Sequence, residues 1–298
     1  MKRPIQGEKH HWFPKCVSRG WAGPDGKVNR TNSRGDTRRF HPKGVGYRPD
    51  GHNILFGKLS PWESTFEPAF DRADNAFPSL IRWLSAEIKP ETKRLAGLML
   101  RDRRAEVGEC LASLVIRSPR MRAQTERYVA QRQTQWMGFE KPQRVEQTAV
   151  ISISNLQRDF AREMSSRGKI AILVAPEPSF IFGDGMMHNL HDTWPLPLRA
   201  MAMVAFSPSI AVLWFCPDHQ PLFPEAVMIR LDAQEVAWFN DLVQIYSRDN
   251  LFHVQDKIAI HPSFTANEHH VAMTDGAKNR TPATDLWMEE ALSIQWPG

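Results

Sequence analysis

The spacing of hydrophobic positions changes along the chain, and each change predicts a different kind of structure. Residues 1–60 are rich in turns and contain only short apolar runs, with "AGPDGK" and "RPDG" as Pro-Asp-Gly turn sequences. From residue 61 to 167 apolar residues recur every three or four positions, which is typical of amphipathic helices. From residue 168 to 260 short β-rich runs follow one another. The patterns predict a β segment, a helical segment and a sheet segment, in that order.

The helical segment carries its own start signal. Ser60 can cap a helix, with Pro61 at the first helical position and Glu63 completing a capping box. The run "FPSLIRWLSAEIK" then places four apolar residues on one face, namely Leu80, Ile81, Leu84 and Ile88. Residues 90–116 are predicted to continue as the main buried helix.

Two further helices are predicted after residue 117. Ser118 and Pro119 supply a cap and a first-turn proline for a very polar helix, "RMRAQTERYVAQRQTQW". A helix from about residue 152 to 165 is expected to end at Gly168, because glycine adopts the left-handed conformation that often follows helices.

The sheet segment contains several short strands and one helix. "KIAILVAPEPSFIFGDG" and "AMAMVAFSPSIAVLWF" each hold two β-rich runs around proline, and "AVMIRL" adds another strand. A helix capped by Asp232 follows, and its inward face consists of Val236, Phe239, Leu242, Val243 and Tyr246. Residues 261–298 are polar and lack apolar periodicity, so we expect a poorly ordered tail there.

These elements predict a single α+β domain over residues 1–260, because no linker separates the helical and sheet regions. Its parts are a turn-rich basic amino-terminal β segment (1–60), central helices (61–167), and a carboxy-terminal mixed sheet of short strands with a packed amphipathic helix (168–260). No apolar run reaches the roughly 18 residues of a membrane span. The spacing of the three cysteines fits neither a disulfide framework nor a zinc half-site. We expect a cytoplasmic protein without a membrane partner.

Positive charge is concentrated near the amino terminus. Residues 1–60 contain 13 Lys and Arg against 4 Asp and Glu, whereas the rest of the chain contains 25 against 29. Such asymmetry indicates a polyanionic partner, and a nucleic acid is the predicted one. The residues expected to bind it are Lys9, Lys15, Arg19, Lys27, Arg30, Arg34, Arg38 and Arg39. A solvated basic loop explains the charge equally well.

Four sequence motifs follow one another in a recognisable order. They are "HHWFPKCVSRGWAGPDGKV", "LVIRSP" after a long helix, "SFIFGDGM" followed by "AMVAFSPSIAVLWF", and "VAWFNDL". By this order and spacing the chain resembles, over roughly residues 10–250, the bacterial and fungal family catalogued as domain of unknown function 4238. That family has an early His-x-x-Pro, an Arg-Thr-Pro after a helix, a strand ending near Ser-Asp-Asn-Pro, a Pro-Leu-Ser-Pro strand and an Asn in its last long helix. The resemblance implies a fold outline and candidate residues, but no activity.

The resemblance marks eight positions of this chain, which are His11 with Pro14, Arg117 with Pro119, Asp184, Ser207 with Pro208, and Asn240. The chain departs from the family at two places. Gly-Asp-Gly-Met stands where the family has Ser-Asp-Asn-Pro, which keeps Asp184 and removes the side-chain donors around it. "RAMAMVAFSP" lacks the usual Leu before Ser-Pro. A site built on the Asp184 loop would therefore be altered here.

The loop "FGDGMMHNLHDTWP" is a candidate metal site. Asp184, His188 and His191, together with Asp192, could gather around a divalent ion, because carboxylate and imidazole are suitable ligands. The identity of any cofactor is otherwise unknown. The alternative is a Gly-Asp-Gly turn in which Asp184 accepts hydrogen bonds from local amides and the histidines lie at the surface.

A second candidate site combines His10 or His11 with Arg117, Asp184 and Asn240. Imidazole can act as a general acid or base, and Arg117 could stabilise the charge of a phosphoryl group. Asp184 or Asn240 could orient the imidazole, which would give a metal-independent, ribonuclease-like site. Each residue alone has a structural alternative: a histidine packed on a strand, an arginine at helix-end carbonyls, and an asparagine that holds a loop amide.

Two functions remain open from the sequence. The first is a nucleic-acid-acting enzyme, most plausibly a nuclease, in which His11, Arg117 and Asp184 cleave phosphodiester bonds beneath the basic arm. The second is a non-catalytic module that binds nucleic acid or a partner protein through the same arm. The polar helix could extend the basic surface or simply face solvent, through Arg120, Arg122, Arg127, Arg132, Tyr128 and Trp136.

Overall fold

A computed structural model describes residues 8–54, 64–88, 94–100, 102–138, 142–190, 200–217, 224–267 and 282–294. The predicted α+β class is confirmed. In chain order the helices are α1 Lys15–Ser18, α2 Asp71–Glu87, α3 Arg103–Ile116, α4 Pro119–Met137, α5 Pro142–Ser166, α6 Ala233–Tyr246, α7 Pro262–Thr265 and α8 Pro282–Ser293. The strands are β1 Lys9–His11, β2 Val28–Thr31, β3 Thr37–Phe40, β4 Tyr47–Pro49, β5 Asn53–Ile54, β6 Ser64–Thr65, β7 Leu95–Leu98, β8 Lys169–Val174, β9 Phe182–Gly183, β10 Met187–His188, β11 Met201–Ser207, β12 Ile210–Phe215, β13 Ala226–Arg230 and β14 Leu251–His253.

The larger sheet has six strands in the order β10-β11-β12-β8-β13-β7. Its pairs are antiparallel except for β8 with β13, which run parallel. Every residue of β8 and β12 is buried, as expected for runs of Ile, Leu, Val and Ala that are covered on both faces. The strands predicted in this part of the chain are confirmed, and the sheet is mixed, as expected.

A second, four-stranded sheet joins the two ends of the domain. Its order is β3-β2-β14-β9, so the amino-terminal hairpin pairs with a strand that follows α6. An aromatic cluster fixes this arrangement, since the ring of Phe13 stacks on that of Phe182 with centres 4.0 Å apart. Trp21 donates a hydrogen bond from Nε1 to the carbonyl of Phe180 at 3.0 Å. The amino-terminal segment is therefore an integral part of the core.

The smallest sheets shape the surface around the aromatic cluster. β1 pairs with β4, which places His10 opposite Arg48 and His11 opposite Tyr47. β5 pairs with β6 just beyond this hairpin. The chain thereby brings residues 8–12 and 47–53 together, at the edge of the helices.

Three helix ends match the capping chemistry of the sequence. Ser118 Oγ accepts a hydrogen bond from the Met121 amide at 3.2 Å, with Pro119 opening α4. Asp232 and Glu235 form a reciprocal capping box at the start of α6. Gly168, just after α5, has a φ of +81°, which a residue with a side chain rarely adopts. The predicted inward face of α6 is also buried.

Other helix boundaries differ from the prediction. The expected start at residues 60–63 lies outside the described residues, and α2 begins at Asp71. Residues 95–98, expected to be helical, form β7 because they pair with β13 at the edge of the large sheet and Gly97 favours no helix. α5 begins at Pro142, about ten residues before the predicted start.

The carboxy-terminal region also differs from the expected poorly ordered tail. α7 and α8 lie within residues 261–298, and the Trp287 ring of α8 is fully buried. Trp287 Nε1 donates to Glu235 Oε1 at 3.2 Å, and Arg94 bridges Glu235 to Glu290 of α8. A buried face of Ala283, Trp287 and Ala291, together with this ion-pair network, holds α8 against the core.

α4 and α5 pack side by side, and their far end has its own small core of Val129, Val145 and Ala149. This cluster is separate from the main core. Among the described residues, no helix is both long and apolar enough to cross a bilayer.

The contact between α3 and α5 predicts a strong effect of one substitution. A Cβ atom on Gly108 would lie 2.5 Å from Ser165 Oγ and 2.6 Å from its amide nitrogen. We expect Gly108→Ala to lower the free energy of unfolding by about 1–3 kcal/mol, because the two helices must separate. Urea denaturation measures the effect. Gly44→Ala is the control, since its Cβ would meet no atom within 4 Å; equal stability of the two variants would contradict the close contact.

Candidate functional site

A cavity of about 390 Å³ lies where the β1–β4 hairpin meets the start of α4. The hairpin contributes His10, Trp12, Tyr47 and Arg48, and the turn after it contributes Gly51 and His52. The α3–α4 junction contributes Arg117, Pro119, Arg122, Ala123 and Glu126. Asp184 and residues 248–250 close the remaining side. Imidazole, guanidinium and carboxylate groups thus meet around one small space.

His52 is one of two buried histidines that line the cavity, and it is hydrogen-bonded to Glu67. Its Nδ1 contacts Glu67 Oε2, and the imidazole packs between the rings of Phe66 and Phe70. Burial lowers the pKa of His52 to about 4, although Glu67 opposes this shift. Burial alone would raise the pKa of Glu67, but the His52 hydrogen bond and nearby cations hold it below its ordinary value. At neutral pH the carboxylate therefore accepts from Nδ1–H, which leaves the Nε2 lone pair available.

His10 fixes the position of His52. The two imidazoles stack with ring centres 5.0 Å apart, and His10 Nδ1 accepts a hydrogen bond from the His52 amide at 3.0 Å. Because Nδ1 is an acceptor, the His10 proton lies on Nε2, which donates to Glu8 Oε2 at 3.2 Å. His10 is thus a positioning residue whose two ring nitrogens are both engaged.

Arg117 occupies the floor of the cavity with its side chain fully buried. Its Nη2 lies 2.8 Å from Asp74 Oδ1 and also contacts Ser113 Oγ, while Nη1 donates to the His11 carbonyl at 3.2 Å. The guanidinium also lies over the Phe70 ring, 4.1 Å from its centre. This one cation joins α2, α3 and β1.

Asp184 is fully buried and clamps the 248–250 turn. Its Oδ1 accepts from the Arg248 amide at 2.8 Å, and its Oδ2 accepts from the Asp249 amide at 2.9 Å and from Asn250 Nδ2 at 3.4 Å. Burial raises the pKa of Asp184 to about 6, although these amides favour the carboxylate. The side chain holds a wall of the cavity.

Arg48 and Arg122 converge on one carboxylate oxygen. Glu146 Oε1 lies 3.5 Å from Arg48 Nη2 and 3.2 Å from Arg122 Nη2. Partial burial, and then the charge of Arg122, lowers the pKa of Arg48. Their shared oxygen marks a position between two cations that favours an anion.

The predicted residues His11 and Asn240 lie outside the residues that line the cavity. His11 contributes its carbonyl to Arg117, and its ring tilts against Tyr47. Burial, then the charge of Lys15, lowers the pKa of His11, whereas a backbone contact with Val45 opposes the shift. Asn240 instead binds the backbone just before β9. Its side chain accepts a hydrogen bond from the Ile181 amide at 3.0 Å and donates one to the Ser179 carbonyl at 2.9 Å.

The predicted metal ligands Asp184 and His188 have different surroundings. Asp184 points both carboxylate oxygens at N–H groups, and His188 lies buried in β10. His191 and Asp192 lie outside the described residues. Across the described part of the chain, no group of three or more His, Cys, Asp or Glu side chains is placed to hold a metal ion.

The predicted basic arm divides into two groups. Lys9 lies over the Tyr47 ring, 4.5 Å from its centre, and Lys15 opens α1 in an exposed position. The others line the surface around the β2–β3 hairpin: Arg19, Lys27, Arg30, Arg34, Arg38 and Arg39. Arg39 pairs with Asp25 at 2.7 Å, and Arg30 lies over the Phe40 ring. Of these, Lys9 contacts a residue that lines the cavity, Tyr47.

Sequence reasoning missed His52 and Glu67. His52 follows the Pro-Asp-Gly turn of "RPDGHN", and a polar residue held by a turn was the available signal. Glu67 lies 15 positions further on and meets His52 only in the folded chain.

No protein-family model, curated protein or solved structure matches this chain. The resemblance to the domain of unknown function 4238 family stays a prediction.

The buried carboxylate of Asp184 predicts a cost for removing one acceptor. In Asp184→Asn an amide NH2 group would face N–H donors, so one donor is left unpaired, and we expect a loss of about 1–3 kcal/mol of stability at neutral pH. Urea denaturation beside the exposed control Asp256→Asn tests this. Equal unfolding midpoints for the two variants would show that Asp184 does not clamp the turn.

The lowered pKa of His52 predicts acid sensitivity of the fold. In the unfolded chain His52 binds a proton near pH 6.5, and in the folded chain only near pH 4. The stability that depends on uncharged His52 is therefore complete above pH 6.5 and is lost as the pH falls toward 4. The free energy of unfolding should fall by about 3 kcal/mol more in the native protein than in His52→Gln between about pH 7 and pH 4. The exposed control His41→Gln should follow the native curve; parallel curves for all three proteins would refute the shift.

Proposed function

We propose that this protein acts on nucleic acid and cleaves phosphodiester bonds in the cavity around His52. The observation that carries the proposal is the pairing of a buried, uncharged imidazole with the Glu67 carboxylate, on the wall of a cavity that also holds two converging guanidiniums. A base held by a carboxylate beside a cationic anion site is the arrangement that phosphoryl chemistry needs.

His52 is the general base in this proposal. Its Nε2 takes the proton of an attacking hydroxyl or water as the oxygen forms a bond to phosphorus, and the bond from phosphorus to the departing oxygen breaks. The departing oxygen takes a proton from solvent. Glu67 keeps the proton on Nδ1 and stabilises the imidazolium that forms, while His10 holds the ring in place.

Arg48 and Arg122 bind the reacting phosphate. Their common contact, Glu146 Oε1, occupies the place that a phosphate oxygen would take, and Glu146 is half-exposed and can turn into solvent. Arg248, on the opposite wall, has a half-exposed side chain and contacts Asp249. A phosphate bound between these groups gains charge-assisted hydrogen bonds that strengthen as negative charge develops.

Arg117 and Asp184 are positioning residues in this scheme. Both line the cavity, but their polar atoms bind α2, α3, β1 and the 248–250 turn. The His11 carbonyl accepts a hydrogen bond from Arg117, and the Asn240 side chain binds the backbone of Ser179 and Ile181. Lys9, over the Tyr47 ring, extends the positive surface from the cavity, and the β2–β3 hairpin offers further cations for the chain of phosphates.

A non-catalytic binding module is the second candidate, and one observation favours it. Each cavity arginine contacts a carboxylate: Arg48 and Arg122 contact Glu146, Arg117 contacts Asp74, and Arg248 contacts Asp249. A ligand would then exchange for these carboxylates without reaction.

Three free cysteines fit the reducing cytoplasm as the setting of either function.

Cleavage by the native protein and three variants decides between the two functions. End-labelled RNA and DNA strands, with and without chelator, are incubated with native protein, His52→Ala, Glu67→Gln and the exposed control His41→Ala. We expect His52→Ala to lower the rate by about 10²- to 10⁴-fold, the range of general-base catalysis, and Glu67→Gln to lower it less. The native rate should rise with pH through about 4, because His52 must be unprotonated.

Two results would contradict the phosphodiesterase. Binding of the strands without cleavage would favour the module, and equal rates for His52→Ala and His41→Ala would remove His52 as the base. Loss of cleavage with chelator would add a metal requirement that the His52 scheme lacks.

A further inference from the structure

An exposed row of side chains runs along the carboxy-terminal half of α4. Tyr128, Arg132 and Trp136 follow at intervals of four residues, which places them in neighbouring turns of the helix. The Trp136 ring is 79% exposed and Tyr128 is 42% exposed. The Arg132 guanidinium lies 5.3 Å from the Tyr128 ring centre and 6.0 Å from that of Trp136. We call these three residues the aromatic ladder.

The aromatic ladder is held in place without being part of a core. Arg132 Nε donates to Tyr128 Oη at 3.1 Å, and the guanidinium lies against both rings. The inner side of the same helix end packs through Val129 against Val145 and Ala149 of α5. The Tyr128 and Trp136 rings are therefore exposed to solvent side by side, while Val129 makes the contact between α4 and α5.

The charged residues of this stretch of α4 are both cations. Between residues 127 and 138 the sequence contains only two charged residues, Arg127 and Arg132, and both are exposed cations. Planar aromatic faces combined with guanidinium groups bind bases by stacking and phosphates by charge. From Tyr128 to Trp136 the helix rises about 12 Å, which is long enough for about two nucleotides of an extended single strand.

The helix that carries the aromatic ladder also reaches the cavity. Pro119, Arg122 and Glu126, in its first half, line the cavity wall. Tyr128 points away from Glu126, and each step of four residues turns the aromatic ladder by about 40° back toward the cavity side. Tyr128, the ladder residue nearest the cavity along the helix axis, lies about 160° around the helix from Glu126, so the aromatic ladder and the cavity lie on different sides of α4.

We propose that the aromatic ladder is a second binding site, which holds a single-stranded segment of nucleic acid by base stacking on Tyr128 and Trp136. The inference rests on the proposed function, since it supplies the part of the substrate that lies beyond the reacting phosphate. A duplex keeps its bases stacked on each other, so the site selects single strands.

Fluorescence anisotropy tests the site with a labelled oligothymidylate of about a dozen nucleotides and a duplex of equal length. We expect the native protein to bind the single strand more tightly than the duplex, and Trp136→Ala to raise the Kd for the single strand by about 5- to 150-fold. Trp238→Ala is the matched control, because Trp238 is a surface tryptophan on another helix, 38% exposed. Arg132→Gln should reduce the slope of log Kd against log salt by about one.

The outcomes separate this site from the phosphodiesterase. Equal Kd values for Trp136→Ala and Trp238→Ala, or no binding by the native protein, would overturn the aromatic ladder as a binding site. If Trp136→Ala instead shifts the free protein from dimer to monomer in sedimentation, the surface is a contact between copies and the proposal fails. If Trp136→Ala changes neither cleavage nor binding, the phosphodiesterase proposal survives and the aromatic ladder is refuted. If binding depends on Trp136 but no cleavage occurs, the aromatic ladder survives and the phosphodiesterase is refuted.

Discussion

The buried guanidinium of Arg117 is the interaction on which the arrangement of the cavity depends. It contacts Asp74 of α2, Ser113 of α3 and the His11 carbonyl of β1, so three elements that are distant in sequence are fixed to one cation. Removing the half-buried Asp74 carboxylate would leave a buried guanidinium without its ionic partner, which destabilises the fold because Arg117 stays desolvated. The position of β1, and with it His10 and Trp12, follows from this contact. His52 follows in turn, since His10 accepts its amide hydrogen bond and stacks on its ring.

Asp184 plays the corresponding part on the opposite wall. It ties the turn at residues 248–250 to the end of β9, so that Arg248 and Asn250 face the cavity. A buried cation and a buried carboxylate thus frame the space without needing to touch a substrate. The groups left for chemistry are the His52–Glu67 pair and the arginines that share Glu146. Arg117 and Asp184 therefore stabilise the fold, although arginine and aspartate are common catalytic residues. The candidate base is His52, which follows a turn.

The parts of the fold that could be predicted from sequence are those set by local chemistry. The caps at Ser118 and Asp232 and the buried strands β8 and β12 follow from side chains within a few residues of each element. Residues 95–98 could not be predicted as a strand, because pairing with β13 depends on a partner about 130 positions away. α8 was missed for a similar reason, since its short buried face packs against, and its ion pairs join it to, residues that are distant in sequence.

The candidate site shows the same limit. The sequence indicated Arg117 and Asp184 as residues of one site, and both line the cavity. It could not distinguish His10 from His11, because strand pairing decides which neighbours each imidazole meets. It also could not pair His52 with Glu67, since that contact crosses from the turn after β4 to the residues before α2 and leaves no periodic pattern in the chain.

The most direct measurement of the central claim is a nitrogen-15 NMR titration of the histidine rings. The account predicts that His52 carries its proton on Nδ1 at neutral pH and titrates only near pH 4, because Glu67 accepts from that nitrogen inside a desolvated pocket. It further predicts that its Nε2 signal shifts when a mononucleotide is added. A His52 ring that titrates near its ordinary value of about 6.5, or that carries its proton on Nε2, would contradict the account of this site.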